Sequence, residues 1–127
     1  MPNPVFFYRQ DGILRRIMLD NVLLLETTGN YVKFHELNGF HLVRTSLATV
    51  LEVLPKGQFV QISRSMAIAV EHLDLIRRDT VTLLSGSIEF TLSRKYYDGL
   101  MKRITILGSE GDEQKENEQE NKKEPGL

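Results

Sequence analysis

The sequence predicts a mainly β, antiparallel domain with one or two short helices. Two dipeptides, Asp11-Gly12 and Asn38-Gly39, sit between apolar segments, and such pairs tolerate the positive φ of tight hairpin turns. Short strand-like runs follow one another through the first hundred residues without strand–helix alternation, which argues against βαβ units. Only two segments carry helical periodicity.

In chain order, "VFFYRQDGILRRIML" reads as a hairpin turning at Asp11-Gly12, and "NVLLLET" follows as a buried strand. "YVKFHELNGFHLVRT" reads as a second hairpin with Asn38-Gly39 at its tip. In "TSLATVLEVLPKG", Ser46 is placed to cap a helix whose Leu47, Val50, Leu51 and Leu54 form one apolar stripe, ended by Pro55 and Gly57. That stripe is expected to cover a sheet. "FVQI" and "MAIAV" are strands separated by "SRS". "HLDLIRRDTVTLL" leads into a Ser85-Gly86-Ser87 turn, and "IEFTL" alternates with Ile88, Phe90 and Leu92 on one face. The second helix is expected after Ser93, with Tyr97, Leu100, Met101 and Ile104 at helical spacing.

A chain of 127 residues holds one domain with a real core, and 41% hydrophobic with 26% charged residues is ordinary for a globular protein. The absence of cysteine excludes disulfides, thiolate zinc sites and cysteine nucleophiles. The N-terminus lacks the pattern of a signal peptide, and no run approaches the ~18 apolar residues of a membrane span. A cytoplasmic location, away from any membrane, is expected.

The formal net charge of −1 hides an asymmetry. From Gly108 onward, seven acidic residues face three lysines, a balance of −4, while residues 1–107 hold 13 Lys or Arg against 10 Asp or Glu, a balance of +3. The tail has almost nothing to bury and is expected to be disordered. The mildly basic remainder permits a polyanionic partner.

Chemistry of other kinds finds little support. His35, His41 and His72 lack ligand spacing, although two of them flank the Asn38-Gly39 turn, and they read as solvated strand residues. Ser63, Ser65 and Ser93 have no nucleophile setting, and there is no phosphate loop or dinucleotide fingerprint. No enzyme activity, catalytic residue, metal or cofactor is expected.

Three polar islands interrupt the strand-like sequence instead. In "TTGNYVK", Gly29-Asn30 precedes Tyr31 and Lys33. With a two-residue turn at Asn38-Gly39, Lys33 faces Arg44 directly, an arrangement that a phosphate would relieve. A longer loop would change the register. Asn30 is a candidate either for bidentate contact to adenine or for supplying a left-handed turn. In "SRS", counting by twos from Val60 puts Arg64 on an apolar face. Either the chain bends there, projecting Arg64 outward, or Arg64 pairs with a carboxylate such as Glu71 or Asp74. In "SRK", Arg94 and Lys95 fall in the first helical turn, where each exposed cation is unfavourable by roughly 0.3–1 kcal/mol. A docked phosphate would offset that cost; the alternative is a helix that starts later, near Tyr96.

These islands, in this order, resemble the LytTR-type DNA-binding domain of bacterial transcription regulators. The resemblance runs through "NVLLLETTGNYVKFH", "VRTSLATVLEVLPKGQFVQISRSMAIAVEHLDLI" and "TLLSGSIEFTLSRKYYDGL", covering about Val5 to Ile104. It implies an elongated fold of several antiparallel β-sheets with minor helices. It also implies double-stranded DNA as partner, with loop residues entering successive major grooves at repeated, bent sites. By motif, Asn30 and Tyr31 would lie in the first DNA-facing loop, Arg64 of the Arg64-Ser65 corner in the second, and Arg94 in the third. Lys33 and Lys95 join them as cations of the same islands. Two departures bear on base preference: Ser63 stands where histidine is frequent, and Ala69 aligns with a frequent asparagine. Residues 1–107 are expected to form the DNA-binding unit and 108–127 the acidic tail. A receiver domain has no room in this chain. Regulation would then come from expression level, a separate partner protein or dimerisation on DNA. The competing class is a β-rich protein-interaction module whose arginines pair with acidic side chains.

Overall fold

A computed structural model describes residues 4–84 and 86–108. Apart from Gly108, the expected acidic tail lies outside the described residues, as does Ser85 of the expected turn.

Among the described residues, ten strands form three antiparallel sheets. Strands β1 (Phe6–Gln10) and β2 (Ile13–Ile17) pair as a hairpin. Its two turn residues, Asp11 and Gly12, both have positive φ (52° and 78°), the type I′ geometry that matches strand twist. The central sheet has the order β5-β4-β3-β7-β6, built from β3 (Val22–Thr28), β4 (Tyr31–Glu36), β5 (Gly39–Arg44), β6 (Phe59–Ser63) and β7 (Met66–Ala69). The third sheet, β10-β9-β8, comprises β8 (Leu73–Ile76), β9 (Thr80–Leu83) and β10 (Ile88–Thr91). Helices α1 (Leu47–Val53) and α2 (Arg94–Met101) complete the domain.

The central sheet is covered on both faces. Leu25, Val32, Phe34, Phe59 and Ala67 pack against Leu47, Val50 and Leu54 around α1 and against Tyr8 and Ile17 of the first hairpin. Leu24, Val60, Ile62 and Ile68 on the other face pack against Val81, Leu83, Leu92 and Leu100. This explains the unbroken apolar run in "NVLLLET", since β3 is buried on both sides. A bulge between Val22 and Leu24 turns Val22 and Leu25 to one face and Leu24 to the other. Fully burying side chains such as Leu25, Ile62, Ile68 and Leu83 contributes roughly 1.5–3 kcal/mol each.

Helix α1 begins where its cap places it. The Ser46 hydroxyl accepts a 3.1 Å hydrogen bond from the Thr49 N–H, an arrangement worth about 1 kcal/mol. Helix α2 starts at Arg94, so the later start near Tyr96 does not occur. Ser93 occupies the N-cap position, yet its hydroxyl caps no helical N–H.

The second hairpin corrects the expected register. Glu36 pairs with Gly39, so the turn residues are Leu37 and Asn38, not Asn38 and Gly39, and neither has positive φ. Lys33 consequently lies opposite Leu42, and Arg44 lies opposite Tyr31. A two-residue slip keeps each side chain on its face, so hydrophobic alternation does not choose between these registers. The observed one avoids facing cations. It stacks Arg44 on Tyr31 (5.8 Å to the ring centroid) and Lys33 on Phe40 (4.5 Å).

Candidate nucleic-acid interface

The three polar islands meet at one end of the central sheet. The first is the β3–β4 turn. Thr28 pairs with Tyr31, leaving Gly29 and Asn30 as the turn residues, and Gly29 takes the positive φ of 62°. Glycine at the first central position with positive φ is the type II′ signature. The left-handed role considered for Asn30 thus belongs to Gly29, and the exposed Asn30 side chain is free of it. Tyr31, half-buried, begins β4 beneath Arg44.

The second island is the β6–β7 turn. Ser63 pairs with Met66, so Arg64 and Ser65 form the tip, and both are exposed. The chain bends here, which takes Arg64 off the apolar face that simple counting gave it. Glu71 lies 3.7 Å from His72, and no ion pair of Arg64 with Glu71 or Asp74 occurs among the described residues. The corner is held by its backbone. The Ser63 hydroxyl accepts from the Ser65 N–H at 3.3 Å, and the Ser65 carbonyl accepts from the Thr27 N–H at 2.8 Å. The latter bond fixes this tip beside the first one.

The third island reaches the same end through β6. A bulge between Gln61 and Ser63 skips Ile62 in the β6–β7 ladder, and the Ile62 carbonyl accepts from the Ser93 N–H at 2.9 Å. The start of α2 is pinned there, next to the strand that ends in Arg64. Arg94 and Lys95 are both exposed, and the Lys95 ammonium lies 5.8 Å from the Tyr96 ring centroid. Buried Leu100 anchors the helix from beneath.

Asn30, Tyr31, Arg64, Ser65, Arg94 and Lys95 are therefore gathered along one edge, although they come from three separate parts of the chain. Lys33 stands apart. It lies two residues into β4, half-buried, with its ammonium over Phe40.

Two cations outside the expected site residues adjoin it, Arg44 having entered only as the expected partner of Lys33. Arg44 ends β5 directly opposite Tyr31. Arg78 lies in the β8–β9 turn, which the Leu92 N–H reaches by a 2.8 Å bond to the Asp79 carbonyl. Arg78, Arg94 and Tyr97 line one notch together with Asp79 and Asp98. The polar break "RRD" inside a strand-like run was the available signal for Arg78. None of Arg44, Arg64, Arg78, Arg94 or Lys95 forms an ion pair among the described residues.

The histidines serve local polar contacts. His35 bonds Glu26 at 2.8 Å, His41 bridges Tyr8 and Glu36 at 3.0 Å each, and His72 bonds the Asp20 carbonyl at 3.1 Å. His35 and His41 point to opposite faces of the sheet, because His35 pairs with Phe40 while His41 pairs with Phe34. Among the described residues, no group of three or more metal-ligating side chains is assembled, and no helix is long and apolar enough to cross a membrane.

Comparison with known proteins adds two findings. A family described as the LytTr DNA-binding domain matches residues 13–105. Among solved structures, a LytTr DNA-binding domain from Bacillus cereus superposes with a TM-score of 0.67 at 19% sequence identity, covering 80% of this chain and 97% of that one. No curated protein sequence matches.

Proposed function

Since the chain belongs to the LytTr DNA-binding domain family, we propose that it is a transcription regulator that binds double-stranded DNA sequence-specifically through turn residues rather than a recognition helix. The observation that carries this reading is the gathering of three exposed polar turns at one end of the central sheet, held by the Thr27–Ser65 and Ser93–Ile62 backbone bonds. In this reading Asn30, Arg64 and Arg94 reach base edges in successive major grooves. Asparagine suits adenine and arginine suits guanine, each through two hydrogen bonds. Tyr31, Ser65 and Lys95 contact sugar and phosphate, while Lys33, set back from this edge over Phe40, has no direct contact in this reading.

Rigid hairpin tips suit this task. A two-residue turn on paired strands aims a side chain with little backbone freedom left to lose on binding. Neither Arg64 nor Arg94 has an ion pair to break among the described residues. Repeated sites, a homodimer formed on DNA, or a separate regulatory protein would then set where and when the domain acts.

Selection of bound sequences from a random DNA pool tests the reading, followed by titration of the winner at several salt concentrations. Enrichment of a defined, repeated motif is expected, with log K falling steeply against log salt as phosphate counterions are released. A pool without enrichment and without salt-sensitive binding would move the protein-interaction reading ahead.

A further inference from the structure

The cationic edge is wider than its three polar turns. Sheet order places β5 at one flank and β6 at the other, with β4, β3 and β7 between them. Helix α2 is bonded to β6 by Ser93, and the β8–β9 turn is bonded to the start of α2 by Leu92. Side chains at this end therefore follow a fixed order: Arg44, then Asn30, then Arg64, then Lys95 and Arg94, and finally Arg78. Arg44 and Arg78 are the outermost members.

Four inter-strand steps of roughly 4.8 Å separate β5 from β6, and α2 with the third sheet packs over the sheet face at the β6 flank.

Each outer arginine is exposed and oriented by a neighbour. Arg44 stacks on the Tyr31 ring, which restricts its guanidinium without neutralising it. Arg78 shares a notch with Arg94 and Tyr97. Asp79 and Asp98 line the same notch, but neither is within ion-pair distance of either arginine. Neither guanidinium has an ion pair to break among the described residues before it meets an external anion.

We propose that Arg44 and Arg78 are the two outer phosphate contacts of the interface, gripping the DNA backbone on either side of the three polar turns and so bounding the footprint. The inference rests on the DNA-binding reading. It adds the residues that position the domain on the duplex without reading bases.

Phosphate-ethylation interference on a selected site, together with salt titrations, tests it on the full chain. Wild-type protein should show two outer clusters of interfering phosphates, one on each side of the bases contacted by Asn30, Arg64 and Arg94. Arg44→Ala should erase one cluster and Arg78→Ala the other. Each should flatten the log K against log salt slope by about 0.9, with equal loss on selected and scrambled DNA. Arg44→Gln and Arg78→Gln, which retain side-chain bulk, should do the same, with melting curves confirming folded protein. Arg15→Ala, exposed on the β1–β2 hairpin outside this edge, should leave both clusters and the slope unchanged. If wild type binds but the variants keep both clusters and the full slope, the proposal is wrong and the DNA reading stands. A loss confined to the selected site would make these residues base readers and equally overturn it. Wild-type protein that binds no DNA would instead remove the reading beneath.

Discussion

The carbonyl of Ser65 accepts a hydrogen bond from the Thr27 N–H at 2.8 Å. Through this one contact, the tip that carries Arg64 is locked beside the tip that carries Asn30. The pairing of β3 with β7 brings together hairpins that are remote in sequence, and the bond closes that ladder at its outer end. Side chains on two such tips approach a ligand as one surface.

Arg64→Ala and Arg94→Ala should each weaken binding to a selected site by roughly 1–3 kcal/mol, the range for losing a bidentate base contact. Lys95→Ala should weaken selected and scrambled DNA alike and flatten the salt slope by about one unit. Thermal midpoints of all three should match wild type, because the side chains are exposed and outside any ion pair among the described residues. If Arg64→Ala unfolds the domain while affinity per folded molecule holds, Arg64 has a structural task.

At the first turn, Gly29 and Asn30 separate conformation from contact. Gly29→Ala forces a side chain into φ 62° with open space around it, so backbone strain of roughly 1–3 kcal/mol should appear as a lowered thermal midpoint. Asn30→Gly should leave the midpoint nearly unchanged and lower site affinity. Full affinity in the Asn30→Gly protein would show that the amide touches no base.

Ile62 connects core and interface. Its side chain is fully buried, while its carbonyl holds the Ser93 N–H. Ile62→Ala should cost roughly 2–5 kcal/mol of stability, read from denaturant unfolding. Ile62→Val, which removes one methylene, should cost roughly 0.5–1.5 kcal/mol and preserve DNA affinity. A small effect of the alanine variant would mean that this side of the sheet repacks freely.

Removing residues 108–127 should leave the thermal midpoint in place and modestly tighten binding to scrambled DNA. Seven acidic residues against three lysines compete with phosphate for a basic face. A large fall in midpoint on truncation would show that the segment is packed.

The sequence by itself determined the local pieces. Asp11-Gly12 fixes a type I′ turn because both residues tolerate positive φ, and Ser46 sets the start of α1 by capping Thr49. Alternation in "IEFTL" and the polar breaks at "GN", "SRS" and "SRK" likewise depend on neighbours within a few residues, so they are legible in one dimension. Only the tertiary structure decided the register of β4 against β5, because a two-residue slip leaves every side chain on its face and hydrophobic pattern cannot distinguish the two. It also decided that Arg64 is exposed, since the turn and the β6 bulge break the count by twos. The gathering of Asn30, Arg64 and Arg94 follows from pairing β3 with β7 and bonding Ser93 to Ile62, while Arg44 is placed by the β4–β5 pairing and Arg78 by the Leu92–Asp79 bond. Those contacts join distant segments to bury Leu24, Ile62, Ile68 and Leu100 together, and that choice is made by the packing of the whole core.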